Sequence, residues 1–243
     1  MPEVNSEFYV GYQPVAPPSI GRVIWRTVAG IAGIVISVAL ILVLAQAPFA
    51  ASRFEYGVYR DYQGELAEWP YPMLITQDAT YLLVGPGKFG IANQVHGHDG
   101  AWVSLRGALI SRGSSRMLEV DLESLRISSE RAHPTRAKAD LGEITLTGEI
   151  VDTKCHLGVM NPGDGKVHRD CAARCISGGA PPGFLVRDQQ DETRLLLLTG
   201  SDGRAIGPEL LDYVAEPVRI PGHLFRQGTT LILQTEPRDF RRE

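Results

Sequence analysis

The sequence predicts a mainly β protein headed by one membrane-spanning helix, and three observations carry that prediction. An uncharged stretch of 26 residues separates Arg26 from Arg53. Beyond it, several segments match one another at a constant offset of 115 positions. Within those segments apolar residues alternate over short runs bounded by Gly and Pro, the pattern of strands.

The uncharged stretch is centred on Val28 to Leu44. About 20 apolar residues suffice to cross a bilayer core, so residues 22–48 are expected to form a transmembrane helix ending near Pro48. Ala45-Gln-Ala47 has the small-x-small form of a cleavage site, but the apolar run is longer than a signal core and Pro48 would follow the cut. An uncleaved anchor is therefore expected. Arg22 and Arg26 abut its N-terminal side, and Trp25 suits an interface. This places residues 1–21, a Pro-containing tail expected to be disordered, in the cytoplasm. The remainder then lies outside the inner (cytoplasmic) membrane, in an oxidising compartment such as a periplasm.

After a juxtamembrane linker at 49–61, residues 62–127 form the first repeat. Residues 128–141 form a polar linker, 142–237 the second repeat, and 238–243 a tail. Val103, Gly107, Leu109, Gly113 and Leu118 match Val218, Gly222, Leu224, Gly228 and Leu233. Leu82-Leu83-Val84-Gly85 matches Leu197-Leu198-Thr199-Gly200 at the same offset. Upstream, Gly64-Glu-Leu66 matches Gly148-Glu-Ile150 at an offset of only 84, so the second copy has gained about 30 residues. Most of the gain falls within 152–183. In the second copy, strands are expected at Ile144–Val151, Phe184–Arg187 and Arg194–Leu198. A short helix opened by Pro208 follows, and then a hairpin, Val218–Phe225 with Thr229–Gln234, turning at Gly228. Three strands, a helix and two strands is the order of the OB-fold, a small five-stranded barrel. The sequence thus predicts two tandem OB-like barrels, the second with a Cys-containing helical insertion.

All three cysteines lie in that insertion: Cys155, Cys171 and Cys175, with His156 and His168. A helix from about Lys166 to Ser177, closed by Gly178 in the left-handed region, places His168, Cys171 and Cys175 at i, i+3 and i+7 on one face. With Cys155 approaching from the preceding strand, these four supply thiolate and imidazole ligands suited to a transition metal such as Zn or Cu. A second reading is a disulfide from Cys155 to Cys171 or Cys175, clipping a docking loop and leaving one thiol over. A third is three idle thiols. Arg169, Arg174 and His168 would lower a thiol pKa if they lay close.

The stretch Gly148-Glu-x-x-Asp152-x-Lys154-Cys155…Gly158…Met160-x-Pro162-Gly163…His168-x-x-Cys171-Ala-x-x-Cys175-x-x-Gly178-Gly179-x-Pro181-Pro182 resembles one found in uncharacterised bacterial proteins. Those proteins are small, exported or membrane-anchored, and carry an OB-like C-terminal part. The resemblance implies a functional insert and names no activity.

Other chemistry finds little support. With 24 Lys+Arg against 28 Asp+Glu the net charge is −4, which offers no general attraction to nucleic acid. Only Lys88, Lys138, Lys154 and Lys166 are lysines, and Gly85-Pro-Gly87-Lys88 has the spacing of a turn, not of a phosphate loop. His96 and His98 read as a solvated loop, and Trp69, Tyr71, Tyr81 and Trp102 as core. No serine-hydrolase elbow, zinc-protease helix, dinucleotide fingerprint or covalent haem motif is present. The expectation is an anchored accessory or assembly component of a membrane complex with a protein partner, its Cys/His loop serving metal or redox work. The alternative is a non-catalytic interaction module.

Overall fold

A computed structural model describes residues 17–45, 52–131, 138–187 and 193–243, and the chain divides into two compact units, Met1–Phe49 and Ala50–Glu243. Most of the segment expected as a disordered tail lies outside the described residues. The first unit contains α1 (Pro18–Ala45), a 28-residue helix with no buried residue. At about 1.5 Å per residue it is roughly 42 Å long, enough to cross a bilayer core. It starts earlier than the expected 22–48, because Pro18 is tolerated in a first helical turn, and residues 46–48 lie outside the described residues.

The second unit is two closed five-stranded barrels. The first comprises β1 (Ser52–Ala67), β2 (Met73–Ile75), β3 (Thr80–Val84), β4 (Ala101–Arg112) and β5 (Ser115–Arg131), with a four-residue helix α2 (Ala92–Val95) between β3 and β4. Its strands close in the order β1-β2-β3-β5-β4, and β3–β5 is parallel. The second comprises β6 (Lys138–Asp152), β7 (Pro182–Arg187), β8 (Thr193–Thr199), β9 (Pro217–Gln227) and β10 (Thr230–Gln234). It closes as β6-β7-β8-β10-β9, with β8–β10 parallel and β11 (Arg241–Arg242) added on β9.

The two barrels share pairing registers. Gly64 faces Val103 in the first and Gly148 faces Val218 in the second. Leu82 faces Met117, and Leu197 faces Ile232. Gly64 and Gly148 stand where the first strand of each barrel passes from one neighbour to the other. A Cβ there would lie 2.3 Å from Ile75 O and 2.4 Å from Leu185 O respectively, so both positions demand glycine.

Several boundaries differ from expectation. β1 begins at Ser52, so residues 52–61 of the expected juxtamembrane linker are strand, paired from Ser52 with β4; residues 49–51 lie outside the described residues. Within the 128–141 segment, residues 128–131 end β5 and residues 138–141, all exposed, begin β6; residues 132–137 lie outside the described residues. The 238–243 tail contains β11, and Phe240 is buried against Tyr213 in the second core. The helix expected at Pro208 is a six-residue 3₁₀ helix, Pro208–Tyr213, carrying Leu210 into that core. The hairpin at Gly228 forms as expected. Among the aromatics, Tyr71 is buried but Trp69 and Trp102 are about two-fifths exposed, Trp69 lying under Arg204.

Alternation along β5 points Leu118 and Val120 into the first core and Met117 and Glu119 outward. Those outward residues are nonetheless buried, because the segment after β6 covers them: Leu157 packs on Val84, Ile110 and Met117. Tyr71 adds a second tie, its hydroxyl donating to Leu198 O at 2.8 Å. The cysteine-bearing segment is therefore clamped between the barrels.

Candidate metal centre

After β6 the chain turns at Thr153, whose amide and hydroxyl both bond Pro181 O. A single wide turn, Cys155–Val159, follows, then a 3₁₀ turn Lys166–His168 and α3 (Arg169–Ser177). Together these bring Cys171 and Cys175 each close to Cys155. Cys155 Sγ lies 4.0 Å from Cys171 Sγ and 4.0 Å from Cys175 Sγ. All three are free thiols, Cys155 and Cys175 buried and Cys171 half-buried. These separations are about twice a disulfide bond length. They approach the roughly 3.8 Å between thiolates that share a tetrahedral ion at about 2.3 Å.

His168 is 3% exposed. One of its ring nitrogens lies, with Cys155 Sγ and Cys171 Sγ, in a set whose members are all within 4.8 Å of one another. Its Nε2 meets Asp152 Oδ2 at 3.0 Å. Asp152 is fully buried, and its Oδ1 accepts the Cys155 amide at 2.8 Å. Asp152 thus orients two candidate ligands at once, in the carboxylate–histidine pairing that fixes the imidazole of metal sites. It also lies within ligand distance of Cys155 and Cys175, but both its oxygens are already engaged. Of the four residues expected from the sequence, Cys155, His168 and Cys171 form one such set, while Cys175 falls in a second set with Asp152 and Cys155.

Lys88 and Asp152 were not expected there. Lys88 Nζ lies 2.8 Å from Cys171 Sγ and 3.4 Å from Cys175 Sγ. The cation beside the thiols is thus Lys88, from the first barrel, and not Arg169, which pairs with Glu216 at 2.9 Å. Lys88 is held in place from both ends. Lys154, 2% exposed, donates to Gly85 O at 2.8 Å, Gly87 O at 2.6 Å and Glu119 Oε2 at 2.6 Å. On the other side Gly90 N donates to Gly178 O at 2.8 Å.

Gly178 has right-handed dihedrals, and Gly179, at φ 101°, is the left-handed residue that ends α3. Gly178 is required for a different reason: a Cβ there would stand 1.9 Å from Lys88 O. Gly178→Ala is expected to lower the unfolding free energy by about 1–3 kcal/mol in urea denaturation, since the backbone of one loop must move.

The electrostatics follow from this packing. The hydrogen bond from Cys155, and then that from Lys88, bring the Cys175 thiol down to about 7. The same bond to Cys175, with burial and the Asp152 charge, pushes Cys155 well up. Contact with Cys171 raises Lys88. Lys88→Met is expected to move the ultraviolet thiolate absorbance midpoint near pH 7 upward, toward the ordinary thiol range; an unchanged midpoint would show that Lys88 does not face the thiols.

His156 stands apart from this cluster. It is 2% exposed, with burial and then Arg112 pushing its pKa down to about 4. His96, on its exposed loop, pairs with Glu68 at 2.8 Å.

No family model matches the chain, and no curated protein matches it. What is established is thus an N-terminal helix long and apolar enough to cross a membrane, two closed barrels, and a Cys/His cluster able to hold a metal ion.

Proposed function

We propose that the protein is a membrane-anchored, extracytoplasmic accessory or assembly component of a membrane complex, and that Cys155, His168, Cys171 and Cys175 bind one soft or borderline transition metal, Zn(II) or Cu(I). The observation that carries this is Cys155 Sγ at 4.0 Å from each of two other free thiols, with the His168 imidazole in one set with Cys155 and Cys171. Thiolate and imidazole donors select these ions. The bound ion would supply structural cross-linking of α3 to the segment after β6, or a cargo to hand to a partner. Three unpaired thiols in an oxidising compartment otherwise need another explanation.

The strand orders, the single parallel pair in each barrel and the turn before the fourth strand fit an OB-like assignment. The shared registers support an internal repeat, in which residues 152–183 are an insertion absent from the first copy. Arg22 and Arg26, in the N-terminal turns of α1, support a cytoplasmic N-terminus.

Zn(II) and Cu(I) titrations of the full-length protein in detergent, each against a competing chelator, test the proposal. One ion per chain is expected, and Cys171→Ser should release it at chelator concentrations the native protein withstands.

One observation favours a second reading. Lys88 beside Cys171 and Cys175, and the lowered pKa of Cys175, suit a thiolate poised for disulfide exchange. In that case Cys155, equidistant from both partners, resolves either one. Failure of both metals to bind, with a disulfide forming readily under mild oxidant, would select it.

A further inference from the structure

The junction of the two barrels contains a second polar feature that the thiol cluster does not use. A cleft of about 500 Å³ opens between the β4–β5 turn of the first barrel and the β8 and β9–β10 edges of the second. Arg112, Ser114 and Ser115 line it from the first barrel. Thr193, Arg194 and Thr229 line it from the second, and His156 forms part of its floor. None of its lining residues is acidic.

Two polar atoms here lack hydrogen-bond partners although they are buried: Nδ1 of His156 and Nε of Arg112. Asp164 Oδ2 lies 3.5 Å from that Nδ1, too far to satisfy it. Arg112 Nη1 is 3.5 Å from His156 Nε2, so the guanidinium and the imidazole stand side by side with donors to spare. A buried, unsatisfied donor is unfavourable by about 1–3 kcal/mol, and here two occur at one cleft that already gathers cationic and hydroxyl groups.

From this we infer a binding site for a phosphate group borne on a small organic molecule. Donors enter from both barrels, so they converge from several directions. That arrangement suits a tetrahedral oxyanion with three or more acceptor oxygens better than a planar carboxylate with two. Guanidinium groups bind such oxyanions through paired, charge-assisted hydrogen bonds. The cleft is several times larger than phosphate itself, and Leu157, Leu185, Leu195 and Leu231 complete its lining. Those side chains would receive the organic portion. The ligand is then a phosphate monoester, free in solution or as a lipid headgroup, gripped where the two barrels meet. The segment that supplies His156 also supplies Cys155, so ligand and thiol cluster sit on opposite uses of one turn, and the site does not depend on which reading of the thiols is correct.

Isothermal titration of the full-length protein in detergent, with phenyl phosphate, inorganic phosphate and benzoate as probes, tests this. Phenyl phosphate is expected to bind more tightly than inorganic phosphate, and benzoate more weakly than either. Arg112→Gln and Arg194→Gln should each weaken phenyl phosphate by about 10-fold or more. Arg194 is exposed and its replacement leaves the core intact; an unchanged urea midpoint and unchanged metal titration in that variant confirm the fold independently. Displacement of phenyl phosphate by a short-chain phosphatidic acid would assign the site to a lipid headgroup, and its failure to compete would assign a soluble phosphoester. The inference is overturned if neither phosphate probe binds at millimolar concentration, if benzoate binds as well as phenyl phosphate, or if both arginine variants bind like the native protein.

Discussion

Glu119→Ala is expected to lower the unfolding free energy of the β unit by about 3–5 kcal/mol in urea denaturation. Glu119 is the one anionic partner among the three groups that Lys154 Nζ contacts, and Lys154 is almost completely buried between the barrels. Removing the carboxylate strands a cation away from water, and the carbonyls of Gly85 and Gly87 do not neutralise it. The double variant Glu119→Leu with Lys154→Met removes both charges and fills the space with apolar atoms. It should recover most of the loss, because a buried pair is weak as a net stabiliser while a broken one is costly. The single variant should also loosen the Gly85–Gly87 loop and carry Lys88 away from the thiols, raising the thiolate absorbance midpoint as Lys88→Met does. A loss below about 1 kcal/mol would mean that water reaches the pair and that the barrels are not clamped there.

Cys155→Ser should have the largest effect on the centre. Its sulfur is the one near both other thiols, so its loss leaves no position where the remaining donors converge. Chelator competition is expected to show metal affinity falling on the order of 100-fold or more. Asp152→Asn tests the supporting layer. Its oxygens accept from the Cys155 amide and meet His168, so an amide in their place should weaken metal binding roughly 10–100-fold without touching the metal. Under the thiol-exchange reading the pattern differs: Asp152→Asn would leave metal titrations flat and would change only how readily Cys155 forms a disulfide.

The parts of the fold legible in the sequence are those with local signals. The long uncharged run, the alternating strands of the second barrel, the Gly228 hairpin and the helix bearing Cys171 and Cys175 all lie in contiguous residues. Helical spacing is a local signal for Cys171 and Cys175, which α3 carries; His168, expected on the same helix, lies in the 3₁₀ turn that precedes it. Lys88 was not legible, since it reaches the thiols across 83 positions from a turn that carries no signal of its own. Glu119 escaped for a related reason. Alternation sets it on the outside of the first barrel, and only the segment after β6, packed on it in three dimensions, makes the outside an inside. The 128–141 segment reads as a linker because it is polar, and polarity does not separate a loop from the exposed ends of long strands such as residues 138–141 of β6. Asp152 and Lys154 stood in the quoted pattern, yet a pattern does not say whether a charged residue binds a ligand, positions one, or closes a seam.

The most direct test of the metal centre is the content of the protein purified from membranes without added metal. Elemental analysis would be run beside a count of alkylatable thiols before and after chelation. The account predicts one Zn or Cu per chain, with Cys155, Cys171 and Cys175 protected until the chelator removes the ion and all three reactive afterwards in denaturant. A metal-free protein in which two of the three cysteines alkylate only after reduction would contradict it, and would make the cluster a disulfide with one thiol to spare.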